Sequence, residues 1–93
     1  MSEPRITIGV PAETAEGERR VALVPDAVAK LVARGLEVVV EPDAGAPALI
    51  PDDVYLAAGA AFDHDPWACD IVLKVAPPTL QEVARLGEGA VLI

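Results

Sequence analysis

Short apolar runs alternate with stretches of helical spacing along this chain. The β-branched run Ile6-Thr7-Ile8 leads to Val10, closed by Gly9 and Pro11, and predicts a first strand over 6–10. Pro11 to Glu18 is polar, with Glu13, Glu16 and Glu18, and reads as a loop. Arg20 to Leu23 is short and predicted to be extended, which would send Arg19 and Arg20 to opposite sides. Pro25 suits the first turn of a helix, Val28, Leu31 and Val32 recur at helical spacing, and Gly35 ends it. Asp26 near its start and Lys30 and Arg34 near its end suit the helix dipole. Glu37 to Glu41 carries Val38-Val39-Val40 and predicts a second strand.

The second half repeats the alternation. Pro42 to Pro47 is a turn-rich loop, and Pro51-Asp52-Asp53 opens a helix with Val54, Ala57 and Ala58 on one face and Gly59 at its end. Ala60 to Phe62 predicts a brief third strand, and Asp63 to Ala68 a polar segment with one helical turn, broken by Pro66. Trp67 and Phe62 are expected to cover the sheet edge. Ile71 to Val75 predicts a buried strand that Pro77-Pro78 ends. Thr79-Leu-Gln-Glu82 has the spacing of a capping box, and Leu80, Val83, Ala84 and Leu86 supply the face of a third helix. Gly87 and Gly89 end that helix, and Ala90 to Ile93 starts a further strand. The order β-α-β-α-β-β-α-β predicts an α/β fold, an open and mostly parallel sheet with helices on both faces. The last apolar run stops at Ile93, so the sheet is expected to be incomplete at its carboxyl end.

Composition supports this reading. The apolar share is 53% with only 3% aromatics, so the core must come from Val, Leu, Ile and Ala, as in a sheet covered on both faces. The net charge of −8 argues against nucleic acid and against anionic membrane surfaces as partners. The lone Cys69 cannot form an internal disulfide, which fits a reducing, cytoplasmic compartment, and it is expected to be a small buried side chain. Met-Ser-Glu-Pro-Arg5 has no apolar signal core, and no run approaches the ~18–20 residues of a membrane span.

Two cations stand out. Lys74 lies inside Ile-Val-Leu-Lys-Val75, where an unpaired ammonium is costly. It must face a cleft at the strand end, find an anionic partner, or guard an edge strand. Arg20 can grip a carboxylate with two parallel hydrogen bonds, or pair with Glu13, Glu16 or Glu18 on the surface. Ligands of open α/β sheets bind outside the carboxyl ends of the strands, where two such cations would suit a small carboxylate. His64 sits in the polar Asp63-His-Asp65 and reads as solvated. The spacing of His, Cys and carboxylates gives no metal site, and no Gly-x-Gly-x-x-Gly run is present.

Taken together, Ile8-Gly-Val-Pro-Ala-Glu-Thr14 and Gly17-Glu-Arg-Arg-Val-Ala-Leu-Val-Pro25 resemble the N-terminal domain shared by alanine dehydrogenase and the NAD(P) transhydrogenase alpha subunit. Gly35 to Glu41, Asp43-Ala-Gly45, Ala57-Ala-Gly-Ala60 and Asp70-Ile-Val-Leu-Lys-Val75 with Pro77-Pro78-Thr79 extend the resemblance from Arg5 to Ile93. Gly17 to Leu23, Val75 to Thr79 and Gly89 to Ile93 look more like the transhydrogenase branch. The resemblance implies that residues 1–93 are the N-terminal portion of a protein with two Rossmann-like domains. NAD(H) would bind the second domain, beyond Ile93, with no cofactor contacts and no metal in this portion. It implies hydride transfer between NAD(H) and NADP(H), coupled to proton translocation. The implied partners are NADP(H)-binding and membrane subunits, in a homodimeric, cytoplasmic protein peripheral to the inner membrane. In the alanine dehydrogenase branch, the residues matching Arg20 and Lys74 hold pyruvate or alanine. A non-catalytic scaffold or dimer-contact domain is the third reading. The family commonly has Thr or Ser before the helix-opening proline, where this chain has Val24.

Overall fold

The computed structural model describes residues 6–87 and 89–93. Its elements follow the predicted order: β1 (Thr7–Val10), α1 (Pro25–Ala33), β2 (Glu37–Val40), α2 (Asp52–Ala57), β3 (Ala61–Phe62), β4 (Ile71–Val72), α3 (Leu80–Val83) and β5 (Val91–Leu92). Two 3-10 turns, Ala46–Ala48 and Pro66–Ala68, lie in the connections. The strands form one sheet in the order β3-β2-β1-β4-β5, and every pairing is parallel. The chain winds outward from β1 to β3, then crosses back to β4 and out to β5. The winding reverses between β1 and β4, the place where ligands enter such sheets.

The strands are shorter than their apolar runs. β4 covers Ile71–Val72 rather than extending to Val75, because the Val75 and Ala76 amides turn away to a side chain. α1 starts at Pro25 behind Val24, which makes no side-chain cap, so the first turn relies on the Val24 carbonyl, which accepts from Ala27 and Val28. Gly35 takes a φ of 88°, the left-handed stop expected after α1.

One face of the sheet packs Ile8, Val10, Val38 and Val40 against Val28 of α1 and Tyr55 of α2. Alternation along β1 sends Gly9 to the other face, where the Pro66–Ala68 turn lies directly on the strand. A Cβ at Gly9 would overlap the Pro66 carbonyl oxygen. Trp67 is accordingly buried over the middle of the sheet and does not cover its edge; Phe62, on edge strand β3, is half-buried.

Two helical faces differ from the sequence pattern. α2 buries Tyr55 and leaves Val54 and Ala57 exposed. Its six residues make less than two turns, and the ring of Tyr55 reaches the core where the smaller side chains do not. The Tyr55 hydroxyl donates to the Leu23 carbonyl at 2.8 Å, tying α2 to the loop before α1. Tyr55→Phe should cost about 1 kcal/mol, read as a lower urea midpoint. α3 has its predicted capping box, with Thr79 and Glu82 each bonding the other's backbone amide. It runs only four residues, however, and Leu80 and Val83 face solvent.

Candidate functional site

Both central strands deliver charged side chains to the carboxyl rim of the sheet. β1 runs into Pro11-Ala12-Glu13, and β4 into Leu73-Lys74. The Leu73 amide donates to Gly9 O at 3.0 Å and the Lys74 amide to Ile93 O at 2.9 Å, so the backbone remains in register past β4. Glu41, at the end of β2, accepts from the Ala12 amide at 3.0 Å and fixes the loop that carries Glu13.

Glu13 and Lys74 meet across the reversal point. The Lys74 ammonium donates to Glu13 Oε1 at 2.8 Å, with side-chain exposures of 4% and 1%. Oε1 also accepts from the Ala76 amide at 3.1 Å, and Oε2 from the Val75 amide at 3.0 Å. A carboxylate out of water needs this much compensation. Of the environments open to Lys74, the structure supplies the anionic partner. The ammonium and two amides form a cradle shaped for an anion, and the chain's own carboxylate fills it. Sequence reading did not pair Glu13 with Lys74; Glu13 entered only as a neighbour of Arg20. The available signal was a glutamate three residues beyond a buried strand end, at the same rim as a lysine inside another.

Arg20 lies on the loop that leaves the same rim. Its side chain is 74% exposed and forms a two-pronged pair with Glu18, Nε to Oε2 and Nη2 to Oε1, each at 2.9 Å. The Arg20 amide also donates to Glu18 Oε2. Arg19 and Arg20 are both exposed, contrary to the expected inward–outward split, because no neighbouring strand pins this segment. Glu13 lies near enough for its charge to act on Arg20. The hollow beside Lys74 is lined by Val75 to Pro78, Leu92 and Ile93, and Arg20 does not line it.

The Arg20 guanidinium, and next its backbone amide, lower the Glu18 carboxyl from 4.5 to about 2. A lowered carboxyl pKa stabilises the folded state above the ordinary value, and that contribution fades as pH falls from 4.5 towards 2. An NMR titration of Glu18 should show the low value, and Arg20→Gln should raise it. Titration of Glu18 near 4.5 in the unaltered protein would mean that the fork does not form in solution.

The turn after β1 is not the glycine turn of a dinucleotide-binding fold. The β1–α1 turn of a dinucleotide-binding fold brings glycine backbone to the diphosphate. Here that turn carries Glu13, Glu16 and Glu18, and the carboxylate of Glu13 occupies the nearby amides. Among the described residues, no group of three His, Cys, Asp or Glu is placed to hold a metal ion. Cys69 is buried, and that burial raises its thiol pKa, which leaves it little thiolate character. His64 is exposed. Among the described residues, no helix is long and apolar enough to cross a membrane.

The parallel five-stranded sheet, reversing at β1 and β4 with its charged pair at the carboxyl rim, defines an open α/β domain of the Rossmann-like type. The family described as Alanine dehydrogenase/PNT, N-terminal domain matches residues 9–93, and the chain belongs to that family. It is 43% identical over 88 residues to the NAD(P) transhydrogenase subunit alpha of Haemophilus influenzae, covering 92% of this chain and 17% of the relative. It is 40% identical over 89 residues to alanine dehydrogenase of Mycobacterium tuberculosis, covering 91% and 24% respectively. A solved L-alanine dehydrogenase structure superposes with a TM-score of 0.89 at 36% identity, over 94% of this chain and 25% of that one. The chain therefore spans a quarter or less of the length of these relatives.

Proposed function

We propose that residues 1–93 are the N-terminal portion of the NAD(H)-binding alpha subunit of a proton-translocating NAD(P) transhydrogenase. What supports this reading is that Gly17 to Leu23, Val75 to Thr79 and Gly89 to Ile93 look more like the transhydrogenase branch, together with the 43% identity to a transhydrogenase alpha subunit. The engaged pairs Lys74–Glu13 and Arg20–Glu18 are compatible with it, since hydride exchange between two nicotinamides needs no free cation at this rim. In this reading NAD(H) binds residues beyond Ile93, and this domain forms one wall of the cleft. NADP(H)-binding and membrane subunits complete the assembly, at the cytoplasmic side of the inner membrane.

The second reading is an NAD-dependent alanine dehydrogenase in which Arg20 and Lys74 hold pyruvate or alanine. It is favoured by the placement of both cations on loops at one rim, within reach of the charge of Glu13. The deciding experiment uses the complete polypeptide that carries this domain, assembled in membrane vesicles. Reduction of an NADP analogue by NADH, with no pyruvate requirement, is expected. Oxidation of NADH that depends on pyruvate and ammonium would overturn the transhydrogenase reading. Tight NADH binding by the 93-residue chain alone would overturn the placement of the cofactor contacts.

A further inference from the structure

We propose that the flank of α1 binds a free amphiphilic carboxylate, a medium-chain fatty acid by chemical class. The proposal goes beyond the hydride-transfer reading and does not depend on it. Leu23, Ala27 and Leu31 line a hollow of about 360 Å³, and Lys30 and Arg34 complete its lining. Sites for small organic ligands begin at about 300 Å³. Positions 27, 30, 31 and 34 recur at helical spacing, so they form one side of α1.

The apolar wall of the hollow is fixed by the core behind it. Val28, next to Ala27, is fully buried and seats α1 on the sheet. The Leu23 carbonyl accepts from the Tyr55 hydroxyl at 2.8 Å, so this backbone acceptor is already used. Leu23, Ala27 and Leu31 are each half-buried, which leaves apolar surface in water that a hydrocarbon chain would cover.

The two cations select the head group. Lys30 and Arg34 stand one turn apart, where side chains are neighbours and like charges repel. Both are exposed, and among the described residues neither has an ion-pair partner. The chain carries 15 acidic residues against 7 basic ones, and Arg20, Lys74 and Arg85 each hold a carboxylate. The negative end of the α1 dipole favours cations here but occupies none of their outer donors. An anion shared by the two removes their repulsion, and the guanidinium can grip a carboxylate with two hydrogen bonds. A carboxylate on a hydrocarbon chain satisfies cations and hollow together. An inorganic anion leaves the hollow empty, and an anionic bilayer meets the repulsion of a chain with a net charge of −8.

The test is a titration of the isotope-labelled 93-residue chain with octanoate, read by amide chemical shifts. Acetate supplies the head without the tail, octanol the tail without the head, and phosphatidylglycerol vesicles the same charge on a bilayer. Octanoate should shift the amides of Ala27, Lys30, Leu31 and Arg34 and bind about tenfold tighter than acetate or octanol. Lys30→Gln/Arg34→Gln should weaken octanoate about tenfold and leave octanol unchanged. Ala27→Leu fills the hollow and should weaken octanoate and octanol alike. Fluorescence of Trp67 reports whether each variant is folded, because that side chain is buried in the fold. Octanol binding as tightly as octanoate would overturn the proposal, as would octanoate binding that is untouched by the charge variant or by Ala27→Leu. So would sedimentation of the chain with the vesicles in place of octanoate binding, which would assign the cations to lipid head groups.

Discussion

Glu13→Gln should lower the folding stability by about 3–5 kcal/mol, the cost of leaving a buried charge without its partner. The Lys74 side chain is 4% exposed, and Glu13 is the anion that its ammonium meets. The amide replacing that carboxylate retains its shape and loses its charge. A small domain has about 5–15 kcal/mol in total, so the loss is a large share. Lys74→Met should cost less, because the Glu13 carboxylate would still accept from the Val75 and Ala76 amides. The double variant Glu13→Leu/Lys74→Met should lose less than the two single losses combined, since neither charge then remains buried alone. Urea unfolding followed by Trp67 fluorescence measures all three. If Glu13→Gln unfolds at the wild-type midpoint, the pair does not hold the rim together.

Gly9→Ala is the second large effect. The added methyl group would meet the Pro66 carbonyl oxygen, which is backbone and cannot swing aside like a side chain. The Pro66–Ala68 turn would have to lift off β1 and take the buried Trp67 with it. Overpacking of this kind costs about 1–3 kcal/mol and sometimes more. Gly87→Ala is the matched control, because nothing lies within 4 Å of the added atom. It should be neutral, or stabilise by about 0.4–1 kcal/mol through the unfolded state. Melting temperatures of the two variants give the comparison. A Gly9→Ala protein that melts with the wild type would mean that the turn does not press on the strand in solution.

The element order was legible because each strand is a β-branched or apolar run bounded by proline, glycine or acids. Val38-Val39-Val40 and the Gly35 stop before it are the clearest cases, and both lie where expected. The capping box of Thr79 and Glu82 was legible for the same reason, since its chemistry is local. Long-range partners were harder to read. The sequence separation of 61 between Glu13 and Lys74 hides their pairing, which exists only because β1 and β4 become neighbours. Helical spacing alone chose Val54 and Ala57 for the inner face of α2, whereas the reach of the Tyr55 ring decided it. Arg20 shows the opposite limit: Glu18 lies two residues away, and a nearby surface carboxylate captured it.

The seam between β1 and β4 has one further consequence. It has two register pairs, Ile8 with Ile71 and Gly9 with Val72, against four between β1 and β2. Thr7 and Asp70 exchange hydrogen bonds at its amino end, and Glu13 and Lys74 close its carboxyl end. Two side-chain rivets therefore hold the β4–β5 flap to the rest of the sheet. Solvent deuterium should reach the Leu73 amide by unzipping of this flap alone, while the β2 amides wait for the whole domain to come apart.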